Sequence, residues 1–289
     1  MNFLRFALIS GLSLLAFLLL TPLRAYEYGG FKTSSAVGFI AYVFLTLIFL
    51  RVFASRISPF LILIALLVGR WSLEAPIRFL DFEHTLISLP DSLMHTVGII
   101  TGFLFWQLKG VSLKILPLIL GCILSLWLSF YGYDLWVHKL NHGTFTGVVS
   151  PRNAPPNFEG VSENNVIVTN SDIAGKIVVL DFWYTKCGAC FLKFPQLQAL
   201  YQKYRDDRSI SIYALNKPID EDASGDAFKI IREEGYSFPV LIAKDSELPQ
   251  AFGVTAYPTT VLIGPKNQIV YKGDIEGAVK MVDELKAAD

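Results

Sequence analysis

The stretch Ile177-Val178-Val179-Leu180-Asp181-Phe182-Trp183-Tyr184-Thr185-Lys186-Cys187-Gly188-Ala189-Cys190 decides the reading of the second half of this chain. Its first seven residues form a near-continuous apolar run of strand length, as expected for a strand buried on both faces. The segment from Gly188 to Tyr204 reads as a helix, so the two cysteines fall where the strand gives way to it. Cysteines three apart at a helix start can close a small disulfide ring. The unpaired N–H groups and partial positive charge of a helix N-terminus favour a thiolate over a thiol. Lys186 next door adds to that. Cys187 is therefore expected to be the attacking sulfur, and Cys190, one turn in, the more buried resolving thiol, with exchange passing through a mixed disulfide.

Asp181 stands inside the apolar run. A carboxyl there is costly unless it is used, and burial should raise its pKa, making it a proton acceptor for Cys190. The alternative is a strand position that faces solvent. Further on, Ala256-Tyr257-Pro258-Thr259-Thr260 precedes a strand. Proline is tolerated at a strand's first position, and an X–Pro bond there is a place for a cis peptide.

Around these motifs the reading continues as strands over Ser209–Leu215, Phe238–Ala243, Thr259–Ile263 and Ile269–Tyr271, with helices over Ala223–Glu234 and Glu276–Lys286. Strands alternating with helices predict an α/β domain with a mixed sheet. Upstream, Ser150–Gly160 (SPRNAPPNFEG) carries three prolines and no apolar periodicity, the mark of a linker.

The first half is of another kind. The chain has 289 residues, 53% hydrophobic and only 17% charged, against about 25% charged in soluble domains. Nearly all of the shortage lies before residue 135. Apolar runs occur at Phe6–Leu20, Ala36–Phe53, Pro59–Trp71, Leu93–Leu108 and Ile115–Tyr131. Several are shorter than the roughly 20 residues that span a bilayer, so flanking residues must complete them, and the Pro59 run also reads as a buried or re-entrant helix. The first run is expected to be an uncleaved anchor, since Leu23 fits poorly before a cleavage point at Ala25. Five spans with the N-terminus inside put five Lys and Arg in cytoplasmic positions against four in the opposite orientation, a weak preference. The Trp71–Asp91 loop, with Glu74, Asp81, Glu83 and Asp91, then falls outside, as does the C-terminal domain. The expected division is a helical transmembrane bundle over 1–135, a juxtamembrane segment and linker over 136–160, and an α/β domain over 161–289.

A formal net charge of zero offers nothing to nucleic acid. The third cysteine, Cys122, lies in an apolar run and reads as a small buried hydrophobe. With no second cysteine in the membrane half, a dithiol relay within the bilayer is excluded. His138 and His142 share a helix face at i, i+4 spacing; an interfacial polar segment is the favoured reading over metal ligation.

From Ala154 onward the order of features resembles the membrane-anchored TlpA/ResA-like branch of the thioredoxin superfamily. The residues that carry the likeness are Ala154-Pro155-Pro156-Asn157-Phe158, Gly175 to Trp183 followed by Cys187-Gly188-Ala189-Cys190, Pro195 in the helix, and Gly253 to Thr260. The resemblance covers about the last 135 residues. It implies a thioredoxin fold, with Cys187 as nucleophile, Cys190 as resolving thiol and Pro258 in cis as part of a substrate groove that also includes Trp183, Lys186 and Tyr257. It implies a redox-active cysteine pair as the only redox group, with no added cofactor and no metal. The partners it implies are client proteins with disulfides, apocytochromes c among them, an electron-donating membrane or extracytoplasmic thiol protein, and the lipid bilayer. The expected location is a bacterial inner membrane with the redox domain on the periplasmic or extracytoplasmic side. Asp181 matches the buried acid of thioredoxins, a position where the anchored branch often differs. Ala189 stands where proline is common, and Lys186 where tryptophan is common. The dipeptide between the cysteines influences redox poise, so reduction, oxidation and isomerisation of disulfides stay open, as do a peroxidase and a non-catalytic assembly or sensing role.

Overall fold

The computed structural model describes residues 2–25, 30–150, 154–223 and 225–288; the Pro151–Asn153 part of the linker lies outside them. The chain divides into two compact units, Met1–Val137 and His138–Asp289.

The first unit is helical: α1 (Asn2–Leu20), α2 (Gly30–Phe53), α3 (Pro59–Trp71), α4 (Glu74–Leu80), α5 (Phe82–Thr85), α6 (Leu89–Gln107) and α7 (Val111–Trp127). A π-type turn over Leu128–Gly132 leads from α7 into α8 (Tyr133–His142), within which the first unit ends. Among the described residues, four helical stretches are long and apolar enough to cross a membrane: Asn2–Ala25, Gly30–Phe53, Phe82–Gln107 and Val111–His142. The pair α3–α4, bent by 49°, makes a fifth if it counts as one span. Helices α2 and α6 approach closely because α6 offers glycines four apart. A Cβ on Gly98 would sit 2.5 Å from the Phe39 carbonyl oxygen, and one on Gly102 2.8 Å from Thr46 Cβ. Small residues at such spacing let helix backbones touch in lipid, where dispersion rather than water exclusion drives packing.

Two expectations need correction in this unit. The Trp71–Asp91 segment is no open loop. It carries α4 and α5, and Glu74 and Asp91 turn inward while Asp81 and Glu83 stay exposed. Arg24 bridges Glu74 (2.7 Å) and Asp91 (2.5 Å), Arg70 pairs with Glu74 (2.9 Å), and Arg70 Nε lies 3.0 Å from His95 Nδ1. Arg70, Asp91 and His95 are fully buried. Ions this deep in an apolar bundle survive only when paired and hydrogen-bonded. Second, Cys122 is exposed rather than buried. It sits on α7, whose outer face also exposes Ile119, Leu120 and Ile123, so the apolar run that holds it faces outward.

The second unit is built on a seven-stranded sheet in the order β2-β1-β5-β4-β3-β6-β7. The strands are β1 (Glu159–Val161), β2 (Ile167–Thr169), β3 (Ile177–Trp183), β4 (Ile210–Asn216), β5 (Val240–Ala243), β6 (Thr259–Gly264) and β7 (Gln268–Gly273). Strands β3, β4 and β5 run parallel, while β6 is antiparallel to β3 and β7 to β6. Helix α9 (Gly188–Tyr204) returns the chain from β3 to β4; α10 (Asp226–Glu233), α11 (Leu248–Ala251) and α12 (Ile275–Ala288) complete the unit. All seven residues of β3 are buried, because helices and loops cover both faces of this central strand. One face packs Val179, Phe194, Leu197 and Ile212 with Val282; the other packs Leu180, Phe182, Phe252 and Val261. The hairpin β1–β2 lies within and beyond the stretch read as linker.

Candidate active site

The sharp end of β3 carries the dithiol. Cys187 caps α9: its backbone leaves the helical range (φ −85°, ψ 88°) and its Sγ accepts from the Cys190 N–H at 3.1 Å. That bond uses one of the free N–H groups at a helix start and places the sulfur in the positive end of the helix field. Cys187 and Cys190 are joined as a disulfide with their Cα atoms 5.3 Å apart. Cys187 is 4% exposed and Cys190 0%, so the order of access is the expected one and the difference small. The intervening Gly188 and Ala189 are exposed.

Asp181 sits in mid-β3, opposite Ala214 on one side and Thr260 on the other. It is 2% exposed, which removes the solvent-facing alternative. Its partner among the described residues is Thr260, whose hydroxyl donates to Oδ1 at 2.7 Å. Burial pushes the carboxyl pKa up to about 7; the Thr260 bond opposes that rise and the negative charge of Glu276 adds to it. Among the described residues no basic side chain offsets the burial, which leaves the group poised near neutrality.

The Tyr257–Pro258 bond is cis, and β6 begins at the next residue. Tyr257 and Tyr184 meet edge-to-face, ring centroids 5.3 Å apart at 89°, and both pack against the cluster that contains the two cysteines. Tyr184 was legible in the motif as a letter but not as a site residue. Its signal is position, since a residue directly after the buried strand has to face the dithiol loop. Thr185 donates to Asp222, which fixes the turn before Cys187. Lys186 is exposed and lies 3.9 Å from Glu221, a surface pair of little energetic weight.

Trp183 is a correction. Expected along the substrate groove, it is fully buried and packs edge-on against Phe191 and Phe194. It supports α9 from below and presents nothing to a client. His138 and His142 do stand together, ring centroids 4.6 Å apart, but each Nδ1 already has a protein partner, the Thr144 carbonyl and the Thr259 hydroxyl. Among the described residues no group of three metal-ligating side chains occurs.

The AhpC/TSA family matches residues 151–272. The thiol-disulfide oxidoreductase ResA of Bacillus subtilis is 29% identical over 150 residues, 51% of this chain and 79% of that protein. ResA of Bacillus thuringiensis is 31% identical over 135 residues, 44% of this chain and 75% of that protein. This chain belongs to the ResA-like thiol–disulfide oxidoreductases. The membership is carried by the second unit. Among solved structures, the thioredoxin domain of a thiol-disulfide oxidoreductase from Bacteroides vulgatus is 21% identical, with a TM-score of 0.42, covering 47% of this chain and 97% of that one. A DsbE-type thiol:disulfide interchange protein from Chlorobium tepidum is 25% identical, with a TM-score of 0.40, covering 48% and 97%. The ResA-like unit is a thiol–disulfide oxidoreductase domain that follows a run of apolar helices in the chain.

Proposed function

We propose that the protein is a membrane-anchored dithiol enzyme that reduces disulfides in client proteins on the extracytoplasmic side of a bacterial cytoplasmic membrane. The observation that carries this is the cysteine pair at the start of α9, with a backbone N–H aimed at Cys187 Sγ and a buried acid on the strand beneath. Residues 1–135 serve as anchor, 136–160 as juxtamembrane segment and linker, and 161–289 as the working domain.

The chemistry follows from the residues. In the reduced enzyme the Cys187 thiolate attacks a client disulfide, forms a mixed disulfide and releases one client thiolate. The Cys190 thiol passes its proton to the Asp181 carboxylate and attacks Cys187 Sγ, which expels the second client thiolate and leaves the Cys187–Cys190 disulfide. Two electrons pass to the client, and an extracytoplasmic or membrane thiol donor restores the dithiol. Tyr257 and cis Pro258 meet the client segment beside the sulfurs.

The direction of flow is tested by the reduction potential of the couple. A value near that of thioredoxin, about −270 mV, is expected; one near that of DsbA, about −120 mV, would make the enzyme an oxidant. The side of the membrane is tested by labelling. In a Cys122→Ser background, a membrane-impermeant thiol reagent is expected to modify reduced Cys187 on intact cells or spheroplasts. Modification only after lysis would place the domain in the cytoplasm.

A further inference from the structure

Thr255, three positions before Pro258, and Thr259, one after it, are bonded to the chain that precedes the redox domain. His142 Nδ1 lies 3.0 Å from Thr259 Oγ1, and that oxygen lies 2.7 Å from the Ala256 carbonyl. A threonine hydroxyl has one proton and a carbonyl can only accept. The Thr259 proton therefore goes to Ala256, Thr259 Oγ1 accepts, and the imidazole carries its proton on Nδ1. Beside it, Thr255 Oγ1 donates to the Asn141 carbonyl at 3.2 Å. His142 is buried.

The turn that holds His142 is itself fixed. His138 Nδ1 lies 2.7 Å from the Thr144 carbonyl. Val149 N–H donates to the Val270 carbonyl at 3.0 Å, and Lys272 N–H donates to the Gly147 carbonyl at 2.8 Å. Val148 pairs with Tyr271 across the free edge of β7. At Gly147, with φ +80°, a Cβ would come 2.2 Å from the Tyr271 ring, so the close approach needs glycine. Residues 138–149 thus form a clasp along the sheet edge. Its backbone pairs with β7, while Asn141 and His142 reach Thr255 and Thr259, on either side of Pro258.

We propose that His142 is a positioning residue for client binding: from the clasp, its imidazole holds the Ala256–Thr259 loop in the form that receives the client's disulfide segment. This rests on the reading of the Tyr257–Pro258 loop as client groove. Loss of the buried bond leaves Thr259 Oγ1 with no donor among the described residues, so the loop relaxes and clients bind less well once the restraint is gone.

The test is steady-state reduction of insulin by the full chain in detergent micelles, with dithiothreitol as electron donor. His142→Phe keeps an aromatic ring and removes the donor. It is expected to raise KM about five- to tenfold with kcat within about twofold. His142→Asn puts an amide N–H near the place of Nδ1 and is expected to restore KM to within about twofold. Thr255→Ala removes the companion contact and is expected to raise KM about two- to threefold. An unchanged KM in His142→Phe with an active wild type overturns the proposal alone, as does an equal loss of melting temperature in His142→Phe and His142→Asn with no KM split between them. Should His142→Phe fail to fold, an unchanged KM in Thr255→Ala overturns it. A wild-type chain that does not reduce insulin at all overturns the reading of the groove, and this proposal with it.

Discussion

Replacing Cys190 with serine is expected to stop turnover and leave client proteins bound to Cys187 as mixed disulfides. The Cys187 sulfur keeps its place at the start of α9, because the backbone N–H of residue 190, from which it accepts at 3.1 Å, is untouched by the substitution, so its attack on a client survives. What is lost is the second sulfur, buried one turn in, which would expel the client. Non-reducing electrophoresis of membranes expressing the Cys190→Ser chain should show higher-mass adducts that collapse on reduction, and mass spectrometry of those adducts names the clients. Cys187→Ser should show none and should lower disulfide exchange by about a thousandfold or more, since the other thiol of the second unit, Cys190, is fully buried. Adducts of equal amount in both variants would mean that Cys187 is not the attacking sulfur. Unchanged cellular performance of Cys187→Ser would favour the assembly or sensing role over the enzyme.

These two sulfurs are legible in the sequence because their setting is local. A strand buried on both faces reads as an unbroken apolar run, and β3 ends at Trp183, where the apolar letters end. The helix that follows begins at Gly188 for the same local reason. What stayed hidden depended on partners distant in sequence. The ion pair of Arg24 with Asp91 spans 67 residues, and charges between two apolar runs signal solvent unless the opposite charge is known to be near. The hairpin β1–β2 has strands of only three residues, and Val166 and Ile167 are exposed, so neither length nor alternation announces it. Its turn does carry a signal, since Asn165 takes φ 57°, a conformation asparagine tolerates. Trp183 was misplaced because a motif fixes which residues are near the dithiol and not which way each one points. On a strand with both faces covered, every side chain points into protein.

Asp181 carries the other large expected effect, and it appears in two measurements with different signs. With a pKa near 7 set by burial, the carboxylate becomes available as proton acceptor as pH rises through neutrality. Release of the mixed disulfide by wild-type enzyme should therefore quicken across about pH 6 to 8. In Asp181→Asn, which keeps the shape and can still accept from Thr260, that rise should vanish and release at pH 7 should be slower by about a hundredfold or more. The remaining rate should climb only as an unassisted thiol ionises, near about pH 8.5. The stability effect runs the other way. In the unfolded chain Asp181 loses its proton near about pH 3.9, whereas the folded chain holds it to about 7. Below pH 4 both forms are protonated and the group costs nothing. Between about pH 4 and 7 the unfolded chain ionises while the folded one does not, so stability falls as pH rises, by about 4 kcal/mol at most. Asp181→Asn lacks that loss. It should melt close to the wild type at pH 4 and clearly above it at pH 8, while exchanging disulfides more slowly. A variant that is both slower and less stable at pH 8 would show that Asp181 supports the sheet as an ionised, paired group, and the proton-acceptor role would fall.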